Sequence, residues 1–150
     1  MVRWVPGAPQ TRQDVQAVLN EFEEIHRTIG PVIGIALVPP DLPSPEGEMR
    51  KFINQKMDNL LALSETIHYV MEGTGFKNSI LRSVVTNILM LQGKRGKIFV
   101  YKDFDEAIAA LTPRLQELKI LPTRLSLAAR SKGLLSPARA KVVESPGLFR

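Results

Sequence analysis

"VIGIALV", residues 32–38, is apolar from end to end, rich in β-branched side chains and bounded by prolines on both sides. A strand with one wet face alternates apolar and polar residues. This one does not, so both of its faces must be covered, as in a parallel or mixed sheet with helices on each side. Before it lies "TRQDVQAVLNEFEEIHRTIG", where Val15, Val18, Leu19, Phe22 and Ile25 recur at helical spacing. Thr11 is placed to cap that helix with Asp14 at its third position, and Gly30 and Pro31 end it. Further back, "VRWV" (2–5) reads as a short strand closed by Pro6 and Gly7.

The same alternation continues downstream. In "DLPSPEG" (41–47), Ser44 is placed as an N-cap and Pro45 as the first helical residue, where a missing N–H does no harm. Met49, Phe52, Ile53, Met57, Leu60 and Leu61 then form an apolar stripe. "TIHYVME" (66–72) predicts a second central strand, followed by a helix from Lys77 to Gln92 and a basic turn between Gly93 and Gly96. "KIFVYKD" (97–103) predicts a third. Asp103 caps "FDEAIAALT", with Glu106 three residues on completing a capping box, and Pro113 predicts a kink or a restart capped by Thr112. A β-α-β-α-β-α-β-α order implies right-handed crossovers. The expected class is α/β: a four- to five-stranded, mostly parallel sheet with helices packed on it, plus a helical C-terminal extension.

Bulk composition narrows the function classes. At 150 residues and 44% hydrophobic, the chain can bury one sizeable core. No apolar run approaches the roughly 20 residues that span a bilayer, and "MVRWVPGAPQ" lacks the apolar segment of a secretory signal, so a cytoplasmic location is expected. The absence of cysteine excludes disulfides, a thiol nucleophile and a cysteine metal site. Residues 1–121 hold 14 Lys and Arg against 14 Asp and Glu, whereas residues 122–150 hold six against one, Glu144, so the whole net charge of +5 lies past Leu121. Two regions are therefore expected: an α/β domain over 1–121 and a basic tail over 122–150.

The tail predicts two short helices, "TRLSLAARSKG" capped by Thr123 and "SPARAKVVES" capped by Ser136, neither long enough to be stable alone. Its basic residues alternate with leucine and valine and not with stacking aromatics, which argues against nucleic acid. The pattern fits docking on a protein partner or another copy of the chain, or packing on the chain's own domain, and is compatible with peripheral contact on an anionic membrane. Leu125, Leu134, Leu135, Val142 and Phe149 are the expected anchors; Arg130, Lys132, Arg139 and Lys141 are the orienting charges.

Candidate chemistry is sparse. "EGTGFKNS" (72–79) carries Gly73, Thr74, Gly75 and Lys77, which resembles a phosphate-wrapping loop. A nucleotide loop, however, needs a Lys-Ser or Lys-Thr pair opening the helix, and Asn78 stands there instead. The plain reading is a turn capped by Thr74, leaving at most an anion-binding loop. Ser44 at a helix start is a cap or a phosphorylation switch. His26 falls on a polar helix face and His68 lies in a strand beside Tyr69; they share no motif for metal or acid–base work. Asp41 stands alone at a strand end. No catalytic set, metal site or cofactor is expected, so the reading is non-enzymatic.

"PVIGIALVPPDLPSPEGEMRKFINQKM", "ETIHYVMEGTGFKNSILRSVV" and "KIFVYKDFDEAIAAL" together resemble bacterial STAS-like domains, related to anti-sigma-factor antagonists and to lipid-binding proteins of the SEC14 type, and are similar to small myxobacterial proteins. The likeness covers residues 11–118 and closes on a strand running into Phe104, Glu106 and Ala107. It implies a STAS-like fold and a role in binding partner proteins, often in larger assemblies. In signalling members the strand matching "VIGIALV" leads to a phosphorylated serine or threonine turn; the nearest residues here are Asp41 and Ser44, without the Ser-Ser-Gly core. The lipid-binding relatives imply an alternative: a carrier or sensor of a small lipid or anion.

Overall fold

The computed structural model describes residues 2–4, 11–38, 45–71 and 96–131. In chain order these form β1 (Val2–Trp4), α1 (Arg12–Thr28), β2 (Val32–Val38), α2 (Gly47–Leu63), β3 (Ser64–Met71), β4 (Ile98–Tyr101), α3 (Phe104–Glu117) and α4 (Pro122–Ser131). The class is α/β. The strands lie side by side in the order β1-β2-β3-β4, every neighbouring pair parallel. The expected helix over 77–92, Ser44, Asp41, the Gly73–Lys77 loop and the tail beyond Ser131 lie outside the described residues.

Sequential strand order constrains where the helices go. The crossovers β1-α1-β2 and β2-α2-β3 step the same way across the sheet, and right-handed crossovers then put both helices on one face. Accordingly α1 and α2 pack together. Gly34 marks where α1 meets that face: a Cβ there would come 2.9 Å from Phe22 Cζ and 3.9 Å from Ile67 Cγ1. Leu19, Phe22, Leu61 and Ile67 are buried.

Local rules explain the helix ends. At α1, the Thr11 hydroxyl accepts from the Asp14 amide (3.2 Å) and the Asp14 carboxylate accepts from the Thr11 amide (2.8 Å), a complete capping box. At α3, the Asp103 carboxylate accepts from the Glu106 amide (2.8 Å), but Glu106 reaches back to the amide of Lys102 (3.1 Å) instead of that of Asp103. The carbonyls at the end of α2 are satisfied from three directions. Ser64 Oγ donates to Leu60 O (2.6 Å), His26 Nδ1 to Leu63 O (3.0 Å), and Lys97 Nζ to Leu61 O (2.8 Å) and Ser64 O (3.0 Å).

Four sequence expectations are corrected. His26 does not stand on a wholly polar face: it is half-buried and ties α1 to α2, with Nδ1 as the protonated nitrogen because a carbonyl only accepts. Helix α2 spans Gly47–Leu63 and does not start at Pro45: Glu46 is extended and Gly47 has φ +52°, a left-handed turn open to glycine, so right-handed helical dihedrals begin only after it. Pro113 neither breaks nor restarts α3. It sits on an exposed position inside a helix that runs from Phe104 to Glu117, and Leu118 N still bonds to Arg114 O at 3.1 Å. Thr123 lies inside α4, which Pro122 opens with the φ that a first turn needs.

The chain parts into two compact units, Met1–Leu111 and Thr112–Arg150. Packing thus divides within α3, while the charge balance changes at Pro122. No helix among the described residues is long and apolar enough to cross a membrane.

Candidate functional site

The sheet face opposite Phe22 carries His68, Phe99 and Tyr101. Parallel register aligns Ile35 with His68 and His68 with Phe99, and, one level on, Leu37 with Val70 and Val70 with Tyr101. Because side chains alternate along each strand, all six share one face. Thr66, two residues before His68, joins them. His68 sits at the centre, 4% exposed. Its ring stacks on Phe99 (centroids 5.2 Å, 14°) and on Tyr101 (5.6 Å, 14°). Both ring nitrogens are engaged: Nδ1 lies 3.1 Å from the Tyr101 phenol oxygen and Nε2 lies 2.9 Å from Thr66 Oγ1.

A neutral imidazole has one donor and one acceptor, and each hydroxyl can take either role, so both tautomers satisfy this chain. Burial pulls the His68 pKa down from 6.5 to about 4. Burial also raises the Tyr101 phenol, with the Glu106 carboxylate acting in the same direction, so the phenol stays protonated. On the helix-bearing face, burial pushes the Tyr69 phenol up to about 12. A base with a pKa near 4 takes up few protons at neutral pH and makes a poor general base there. The network instead does what a satisfied buried polar cluster does: it fixes ring orientation and leaves no buried polar side-chain atom unpaired among the described residues.

A second locus lies on the C-terminal unit. Leu118, Ile120, Leu121 and Leu127 are exposed, Leu121 and Leu127 at 61% and 63%. On α4, Leu125 and Ala129 are spaced one turn apart and turn inward, Ala129 fully buried. Leu127 projects from the other side, between the exposed Arg124 and Arg130 at three residues on either hand. The expected anchor Leu125 is thus half-buried in its own unit, and the freely presented apolar group is Leu127. Among the remaining expected contacts, Arg130 is exposed, while Lys132, Leu134, Leu135, Arg139, Lys141, Val142 and Phe149 lie outside the described residues.

No group of His, Asp or Glu that could hold a metal occurs among the described residues. Sequence reasoning passed over Thr66, Phe99 and Tyr101. Period-two alternation in "KIFVYKD" does put Phe99 and Tyr101 on one side, but only the pairing register brings them to His68. Leu118, Ile120 and Leu121 precede the charge boundary at Pro122, so the charge pattern carries no signal for them. No family model, curated protein or solved structure matches the chain.

Proposed function

We propose that this chain is a non-enzymatic interaction module, of the STAS-like kind its central motifs resemble, acting in the cytoplasm and docking through its C-terminal unit onto an acidic surface of a protein partner. One observation carries the reading: Leu127 stands in water between Arg124 and Arg130, with Leu118 and Leu121 exposed on the same unit. An apolar anchor rimmed by guanidinium groups suits a pocket edged by carboxylates, where the anchor supplies affinity and the rim supplies orientation and on-rate. In the sequence the same mixture continues through Lys132, Leu134, Leu135, Arg139, Lys141, Val142 and Phe149.

Charge selects among occupants. Helix α4 carries Arg124 and Arg130 and no acid, so a two-fold contact between two such helices sets like charges together. One projecting leucine on a ten-residue helix offers little apolar surface to a bilayer, whose stable binding takes more than one anchor. A partner with an acidic surface meets neither objection.

The test is a photo-crosslinker at position 127 of the full chain in its native host, with and without Arg124→Glu and Arg130→Glu. The expected result is one discrete adduct to an acidic surface of another protein, lost on charge reversal. A self-adduct, an adduct indifferent to charge reversal, or binding to anionic vesicles alone overturns the reading. A lipid or anion that co-purifies in native mass spectrometry would favour the carrier role instead.

A further inference from the structure

We infer that the outer edge of β4 is a strand-addition site for an extended peptide that bears an aromatic side chain and carboxylates at one end. Among the described residues β4 pairs with β3 alone. The direction of its backbone groups follows from the ladder. Ile67, whose register partner is Ile98, donates its N–H to Lys97 O at 2.7 Å. In a parallel ladder such a residue bonds to the neighbours on either side of its partner, and the partner's own N–H and C=O point the other way. Ile98, and by the same alternation Val100, therefore aim donor and acceptor groups away from β3. Those are the groups that an added strand takes up.

The side chains say what that strand carries. The row Ile35–His68–Phe99 crosses β2, β3 and β4, with Phe99 stacked on His68, and Phe99 is 38% exposed at its end. His68 is held in orientation by Thr66 and Tyr101, so Phe99 rests on a fixed ring. A further strand places its own residue at that level against the outer side of Phe99, and a planar ring there prolongs the stack. Lys97 and Lys102, both exposed, flank the uncharged stretch Ile98–Tyr101. A second copy laid antiparallel on this edge sets lysines against lysines, whereas carboxylates at the peptide end beside Lys102 complement it; the Lys97 ammonium is already bound to Leu61 O and Ser64 O.

The experiment reads amide hydrogen exchange on the full chain, alone and with a short synthetic peptide of alternating threonine and valine, one central phenylalanine and two terminal aspartates. In the free protein the Ile98 and Val100 amides are expected to exchange about tenfold or more faster than those of Phe99 and Tyr101, and the peptide is expected to slow the first pair selectively. Replacing the peptide's phenylalanine by alanine should weaken binding about two- to tenfold. Val100→Pro removes an outward N–H without touching the β3 ladder and should abolish binding; if that variant does not fold, the exchange pattern of the unaltered chain decides. Equal protection of all four amides in dilute protein, protection that rises with protein concentration alone, no response to the peptide, or full binding by folded Val100→Pro each overturn the inference.

Discussion

His68 and Tyr101 meet twice: their rings lie 5.6 Å apart and within 14° of parallel, and His68 Nδ1 stands 3.1 Å from the Tyr101 phenol oxygen. The two residues sit 33 positions apart in sequence, on adjacent parallel strands. A stack alone leaves a ring free to slide and a hydrogen bond alone leaves it free to tilt; both together fix the imidazole in the sheet face. That rigidity is what the arrangement supplies to Phe99 beyond it.

The buried imidazole makes stability depend on pH. Its folded pKa is about 4 against 6.5, so folding excludes a proton that the unfolded chain accepts. The contribution is fully present above pH 6.5 and is lost as pH falls towards 4; below that both states are protonated and the loss stops. The full difference is on the order of 3 kcal/mol. Urea unfolding of the unaltered chain and of His68→Gln at pH 7 and pH 4.5 isolates it. The fall in stability between the two pH values should be smaller in the variant by about 2 kcal/mol. An equal fall in both proteins would mean that His68 is not held neutral.

Gly34 is where helix α1 comes closest to the sheet. The methyl of Gly34→Ala would stand 2.9 Å from Phe22 Cζ, and Phe22 is buried, so its ring has little room to yield. The expected loss is about 1–3 kcal/mol, as for an overpacked core. Phe22→Leu opens a void of its own, so the double variant should be more stable than the sum of the two single effects predicts. Strict additivity in thermal or urea unfolding counts against the contact.

Sequence reading reached the elements that rest on local rules. The even hydrophobicity of "VIGIALV" gave a covered strand, and Thr11 with Asp14 gave a helix start, because each signal is contained within a few residues. It did not reach the His68 network, whose members come from β3 and β4 and meet only through register. Nor did it place His26 against Leu63 O, since a half-polar helix face offers no clue to which neighbouring helix ends beside it. Pro113 does not restart the helix: proline lowers the odds of a helix at its position, but α3 runs through it, with Leu111 and Leu115 buried on either side.

Lys97 closes the end of α2 from the start of β4, its ammonium donating to Leu61 O and Ser64 O. A cation at a helix C-terminus is also favoured by the macrodipole. Lys97→Met keeps the length of the side chain and removes charge and donors together. Stability should fall by about 1 kcal/mol, and less in high salt as the charge is screened. The amide of Ser64, which bonds to Leu61 O as the C-cap of α2, should lose protection from exchange. A loss of stability without that local change would place the effect elsewhere.

Helix α3 ends on a residue ill suited to its position. Lys119 N bonds to Gln116 O at 3.0 Å and Ile120 N to Leu115 O at 2.8 Å, the paired closure that turns a chain out of a helix. That closure needs a left-handed residue, and Lys119 has φ +56°. A side chain with a Cβ is strained there by about 1 kcal/mol relative to glycine, which has none. Lys119 is exposed, so its replacement removes no packing. Lys119→Gly should therefore stabilise the chain by up to about 1 kcal/mol, while Lys119→Ala, which keeps the Cβ, should leave stability near its starting value. The comparison separates backbone strain from loss of charge, because both variants lose the same ammonium. If glycine and alanine shift urea unfolding equally, the turn is not held in the left-handed region and the end of α3 is closed some other way.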